Sequence, residues 1–334
     1  MGRVPSFIVG ISWKMGVVEV VTIRDIAKLA DVSKTTVSRV INNHQYVSTE
    51  IREKVQKVIE ETGYVVNGNA IKLSNGKNYT LGVTLPYNSS CYDRLVNSLL
   101  LHARKRGYQV LILPTYYDEE TENEYYSLLE KRMIDGLVLV SRVRNLNNWT
   151  KLKSRGRIVS TEKVAEPKIP MIYPDRKRIY EEIFLSLSEQ GMSRVTFTNK
   201  RPLAHSTSAR DKAACYEKYF GDVIEGENFF TGIEGYESGF HWAKETYRTL
   251  PLPEVFYANA DDTAAGIISG LQSLGYTHKK EFQMIGEGNL PYSQLLNFST
   301  IDFCPENIGE RVIDYILSDQ EAIHMVLEPR LIKR

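Results

Sequence analysis

The chain has 334 residues, 42% of them hydrophobic and 25% charged, and 42 Lys/Arg against 41 Asp/Glu leave a formal net charge of +1. That length accommodates two or three compact units, and the near balance of charge excludes a polybasic or polyacidic chain whose partner could be named from overall electrostatics. The three cysteines (Cys91, Cys215, Cys304) are odd in number and dispersed, which argues against a disulfide framework and for a reducing, cytoplasmic setting, and no run of 18 apolar residues exists that could span a membrane.

Residues 1–21 carry a short apolar cluster (Phe7, Ile8, Val9, Ile11, Trp13) that Lys14 interrupts. No small-residue cleavage site follows, so the segment reads as neither signal peptide nor anchor. Thr22 is an N-cap candidate with Asp25 three residues on, an approximate capping box. Ile26, Leu29 and Ala30 recur at helical spacing. Asp31-Val32 reads as a turn, and Ser33 restarts a helix whose inward stripe is Val37, Val40 and Ile41. Ser48 caps a third helix carrying Ile51, Val55, Val58 and Ile59, with Gly63 at its end.

The outward face of the second helix presents Lys34, Thr35, Ser38 and Arg39. A recognition helix lies in the major groove with its first side chains at base edges, and a guanidinium one turn on can take guanine O6 and N7 together. Ser33, Thr36 and Ser38 offer short hydroxyls suited to phosphate oxygens. Between Thr22 and Lys77 there are nine Lys/Arg against six Asp/Glu, a modest local excess. An amphipathic helical hairpin with a solvated polar face would share much of this pattern.

The run TIRDIAKLADVSKTTVSRVINN, followed by YVSTEIREKVQKVIEETGYVVN, resembles the LacI/GalR family of bacterial transcription regulators almost position for position, and the Val32–Asn42 core is highly specific. The resemblance implies a helix-turn-helix headpiece over 22–66, with 1–21 an N-terminal extension, unstructured or from a misplaced translation start. It extends the DNA-contacting set to Thr22, Asn42, Tyr46 and Ser48. It implies a hinge helix over 67–78 that orders on the operator and wedges a leucine into the minor groove. Leu73 stands at that position, Ala70 at the small position before it, and Asn67 at the asparagine before the hinge. Ile71-Lys72 replaces the usual arginine-containing pattern and Gly68 adds flexibility. A plain linker is the competing reading.

From Tyr79 the pattern becomes alternating strands and helices. TLGVTLP, YQVLILP and DGLVLVS read as strands, with helices at Leu95–Arg106 and Thr121–Arg132, and GRIVST, PMIY, RVTFT, EVFYA and FQMIG as later strands. Apolar runs with little alternation indicate parallel sheets covered on both faces. The expected fold class is α plus α/β: a three-helix headpiece, then a body over 79–334 for which the family resemblance, continuing along the chain, implies two periplasmic-binding-protein-like lobes. Landmarks place lobe one at about 79–173 and 304–318, and lobe two at about 174–303 and 319–334.

Ligands of such sheets bind beyond the carboxyl ends of strands. The candidates there are Ser90, Tyr92, Asp93, Tyr116, Ser141 and Glu162 in lobe one. Lobe two offers Arg210, Lys212, Glu234, Asp261, Asp262 and the turn containing Gly288. Relatives that bind sugars usually have an arginine where this chain has Lys212, which cannot make the same two-pronged clamp. Their Gly-aromatic-Asp turn is here Gly286-Glu287-Gly288, without that acid, and their Asn-Asp pair is Asp261-Asp262. Both a free sugar and a phosphorylated ligand, or a protein corepressor such as a phosphocarrier, stay open as partners.

Enzyme signatures fail. Pro291 stands where a dinucleotide fingerprint would need its third glycine, and no phosphate loop, His-Glu-x-x-His or Gly-x-Ser-x-Gly occurs. The six histidines are scattered. No catalytic residue, metal or cofactor is expected. The sequence reads as a ligand-responsive repressor of carbohydrate-metabolism genes that binds a pseudo-palindromic operator in double-stranded DNA as a homodimer. In the alternative reading it depends on a corepressor and senses a phosphorylated metabolite or a phosphocarrier protein.

Overall fold

The structure is a computed structural model that describes residues 21–42, 44–65, 76–142, 156–164, 169–320 and 323–334. The chain divides into two compact units with the boundary between Lys77 and Asn78.

The first unit holds α1 (Ile23–Leu29), α2 (Lys34–Ile41) and α3 (Thr49–Thr62). Each start is capped locally. The Thr22 N–H and hydroxyl both donate to the Asp25 carboxylate, at 3.0 and 2.6 Å. Ser33 Oγ accepts the Thr36 N–H at 3.0 Å, and Ser48 Oγ accepts that of Ile51 at 3.4 Å. Gly63 ends α3 in the left-handed region at φ 61°. The core is Ile26, Ala27, Ala30, Val37, Val40 and Val55. Leu29, expected on the inner face, is 61% exposed. The inward stripe of α1 runs through the small Ala27 and Ala30 instead, one position around the helix.

The second unit has two six-stranded sheets. Lobe one contains β1 (Thr80–Leu85), α4 (Ser90–Lys105), β2 (Gln109–Pro114), α5 (Glu119–Glu130), β3 (Gly136–Leu139), β4 (Arg157–Ser160) and β5 (Met171–Pro174). Lobe two contains α6 (Arg176–Glu189), β6 (Val195–Thr198), α7 (Thr207–Phe220), β7 (Phe229–Phe230), α8 (Gly235–Thr246), β8 (Val255–Tyr257), α9 (Asp261–Gln272), β9 (Gln283–Glu287), α10 (Pro291–Leu295) and β10 (Ser299–Asp302). The chain then returns through α11 (Pro305–Leu317) and ends on β11 (His324–Leu327) and β12 (Arg330–Ile332).

Strand order is β11-β5-β4-β3-β1-β2 in the first sheet and β12-β10-β9-β8-β6-β7 in the second. All neighbours are parallel except β12, which runs antiparallel to β10 with Ile301 opposite Leu331. Lobe one buries one sheet face against α4 and α11 through Leu99, Ile308 and Val312, and the other against α5 through Tyr126 and Leu129. Lobe two is built likewise around Phe184 and Phe197 on one side and Phe256 and Ile267 on the other.

Two expectations change. The segment 319–334 does not belong wholly to lobe two, because β11 pairs with β5 and only β12 joins the second sheet. The chain thus crosses between lobes after β5, after β10 and after β11. Coverage of both faces also fails at the edge strand β2, where Leu111 and Ile112 are exposed. Strands β7, β10, β11 and β12 were not anticipated; they are short, edge-placed or polar, so their apolar runs are weak.

Candidate functional site

In the first unit, α2 turns Val37 and Val40 inward and leaves Lys34, Thr35 and Arg39 exposed. Its N-terminus is fixed by the Ser33 cap, and Ser33 Oγ also lies 2.8 Å from Thr36 Oγ1. The Arg52 guanidinium donates to the His44 carbonyl at 2.8 Å, tying the connection between α2 and α3 to the start of α3. Tyr46 on that connection is 86% exposed. The result is a rigid platform presenting one lysine, one arginine and several short hydroxyls on a helix of groove-fitting width.

In the second unit, a cleft of about 520 Å³ lies between the lobes, past the carboxyl ends of the strands. Strand ends and following turns of both lobes line it: Ser90, Tyr92 and Arg94 on α4, Tyr117, Ser141, Arg142 and Glu162 from lobe one, and Arg176, Asn199, Lys200, Arg201, Arg210, Glu234, Asp262, Glu287 and Gly288 from lobe two.

The two walls are clasped at one rim. The Tyr87 hydroxyl donates to Glu234 at 2.5 Å, and Lys200 Nζ donates to the same carboxylate at 2.7 Å while sitting 3.4 Å above the Tyr87 ring. Ser90 Oγ donates to Asp262 at 2.6 Å. Elsewhere Arg94 reaches from α4 to the Gly288 carbonyl at 2.8 Å, to Asp302 at 3.2 Å and to Glu306 at 2.8 Å. Partial burial pulls the Lys200 pKa down despite Glu234.

The floor is charged. Lys212, 1% exposed, donates to Glu287 at 2.6 Å, and its Nζ lies 4.0 Å from the Tyr257 ring centre. Arg176 stands 3.5 Å from the other Glu287 oxygen and covers the Phe303 ring at 3.8 Å. Burial between the cleft walls raises the Glu162 pKa against the pull of Arg142, Arg176 and Arg201.

Residues 22–67 match the family described as bacterial regulatory proteins, lacI family, and residues 78–323 match the periplasmic binding proteins and sugar binding domain of LacI family. The chain is a member of the LacI family. Catabolite control protein B of Bacillus subtilis (strain 168) is 35% identical over 90% of this chain and 95% of its own length. The NTD biosynthesis operon regulator of the same organism is 28% identical over 93% of this chain and 96% of its own. A lac repressor dimer bound to operator and an anti-inducer shares the fold at TM-score 0.79 and 20% identity, over 94% of this chain and 98% of that one. These LacI-family relatives are DNA-binding transcription regulators, not enzymes, and so is this chain.

The expected DNA-contacting residues between Thr22 and Ser48 can be placed on the headpiece. Lys34, Thr35, Arg39, Asn42 and Tyr46 are exposed on the headpiece. Three hydroxyls of the expected DNA-contacting set already have intramolecular partners: Thr22 with Asp25, Ser33 with Thr36 and Ser48 with the start of α3. Ser38 is half-buried, 3.4 Å from the Asn42 amide nitrogen. Asn67, Ala70 and Leu73 lie outside the described residues.

In the cleft, Ser90, Tyr92, Ser141, Glu162, Arg210, Glu234, Asp262 and Gly288 line the wall as expected positions, and four do not. Asp93 turns to solvent on the far side of the first turn of α4. Tyr116 is 70% exposed; it and Tyr117 are successive left-handed residues, and that reversal brings Tyr117 to the cleft in its place. Lys212 is sealed beneath the floor by Glu287. Asp261 is fully buried, accepting from Leu290 N at 2.6 Å and Thr300 Oγ1 at 2.6 Å. Glu287, next to the position of the missing acid at Gly288, is paired with Lys212. Arg176, Lys200 and Arg201 went unremarked in the sequence, where they sit in charged turns like many surface residues. Among the described residues, no cluster of His, Cys, Asp or Glu could hold a metal, and no helix is long and apolar enough to cross a membrane.

Proposed function

We propose that this regulator is a repressor of carbohydrate-metabolism genes, binding a pseudo-palindromic operator as a homodimer, with affinity set by an effector in the inter-lobe cleft. The observation that carries the DNA-binding half is α2, with Lys34, Thr35 and Arg39 exposed on a capped helix whose opposite face is core. Two such helices related by a twofold axis would read two half-sites. The catabolite-control name of one relative and the sugar-binding description of the body's family support the carbohydrate role.

An effector bridging the walls would change the lobes' relative angle, since Tyr87–Glu234, Ser90–Asp262 and Arg94–Gly288 all span them. Coupling of this kind is typically ~1–3 kcal/mol. Footprinting of the full chain on fragments of its own genome at low salt tests the reading, alongside sedimentation with and without the selected site. Protection of a two-half-site sequence by a dimer is expected. A monomer bound to a single half-site, or no protected site, overturns it.

A further inference from the structure

We infer that the effector carries an oxyanion, and that the guanidinium edges of Arg176 and Arg201 hold it. This rests on the reading of the cleft as the effector site and names the ligand chemistry of that site.

In a cleft that takes neutral sugars, aromatic faces are the natural stacking surface for a pyranose. Here two such faces are already covered by the chain's own cations. Arg176 lies over Phe303 at 3.8 Å, and Arg201 over Tyr117 at 4.2 Å. Stacking in this way fixes the plane of each guanidinium; Nη1 of Arg176 also reaches Glu287 and the Tyr180 hydroxyl, each at 3.5 Å, and the remaining N–H groups are left for contact with a carboxylate or phosphoryl group. Among the described residues, no protein acceptor takes a hydrogen bond from the Arg201 guanidinium.

Charge balance points the same way. Three cations (Arg176, Arg201 and Lys212) stand beside two carboxylates, Glu162 and Glu287. Lys212 at 2.6 Å already neutralises Glu287. Glu162 faces the guanidiniums of Arg176 and Arg201, while burial raises its pKa. The floor therefore holds a surplus of about one positive charge in a partly enclosed space, where an anion is attracted more strongly than in open water. Glu162 and the neutral side chains, Asn199 and Ser141, supply acceptors and donors for hydroxyls. The shared ligand chemistry is a small polyhydroxylated molecule with one oxyanion, either a phosphate ester or a carboxylate.

The test is calorimetry and thermal shift on the full-length chain with inorganic phosphate, glucose 6-phosphate, gluconate and glucose, repeated with Arg201→Gln and Arg201→Lys. Anionic probes should bind at least roughly tenfold more tightly than glucose, and Arg201→Gln should erase that preference. Arg201→Lys, which keeps the charge without the fork, should retain part of it. Glucose 6-phosphate ahead of gluconate assigns a phosphoryl group, and the reverse order a carboxylate. Equal binding of glucose and the anions overturns the inference, as does anion binding indifferent to Arg201→Gln, or no Arg201-dependent stabilisation by any probe at millimolar concentration. Operator affinity is measured in parallel. Arg201-dependent anion binding that leaves it unchanged would remove the effector role but keep the subsite; a glucose response would do the opposite.

Discussion

Replacing Lys212 by methionine would isolate the charge beneath the cleft. The substitution keeps the chain length and the packing against Tyr180 and Tyr257, whose rings lie 5.1 and 4.0 Å from Nζ. It removes the 2.6 Å partner of Glu287, itself only 8% exposed. Breaking one side of a buried pair costs about 3–5 kcal/mol. Arg176 remains 3.5 Å from the second Glu287 oxygen, so the lower end, about 3 kcal/mol, is expected. Glu287→Gln strands the ammonium between the two rings and should cost a similar amount. The double variant carries neither charge and should fall within about 1 kcal/mol of wild type, because a well-packed neutral pair replaces an ion pair at little net cost. Urea unfolding followed by circular dichroism and by tryptophan fluorescence, to which Trp242 of lobe two contributes, measures all three. Additive losses in the double variant, or a loss below about 1 kcal/mol for Lys212→Met alone, would show that the two charges are not a coupled buried pair.

Arg39→Ala should weaken operator binding by about 1–3 kcal/mol at one base pair and relax the preference there; an unchanged consensus in a binding-site selection would contradict the assigned docking. Asp261 is governed first by burial, which raises its pKa from 3.8 to about 6. The folded state therefore holds that proton more tightly than the unfolded one. This contribution is complete below pH 3.8 and is lost as the pH rises through about 6. Asp261→Asn lacks the titration, so its stability relative to wild type should rise by about 3 kcal/mol between pH 4 and pH 7, and a flat difference across that range would refute the account. Gly286→Ala would place a methyl 2.2 Å from Asp261 Oδ1 and disturb its bonds to Leu290 and Thr300. A loss of about 1–3 kcal/mol is expected, and an unchanged melting temperature would mean that the neighbouring strand yields freely.

Much of this protein was legible in the sequence because its signals are local. Ser33 and Ser48 cap helices through hydrogen bonds to residues three positions on, and Gly63 ends one by adopting a left-handed backbone. A helix's exposed face follows from a 100° step, so Lys34, Thr35 and Arg39 could be placed without coordinates. The central strands announced themselves by continuous apolar runs, since a strand covered on both faces has no solvent side to record. What only the tertiary structure decided is where a charge at a strand end points and what neutralises it. Lys212 and Asp261 looked like ligand contacts, but both are consumed by partners 75 and 29 residues away. Arg176 and Arg201 carry no local signal in the sequence, yet they stack on aromatic rings from distant segments beside the cleft. The tail was split between two sheets by strand pairing that crosses more than 150 residues. Electrostatic roles and edge pairings depend on which segments meet in space, and linear spacing carries no record of those meetings.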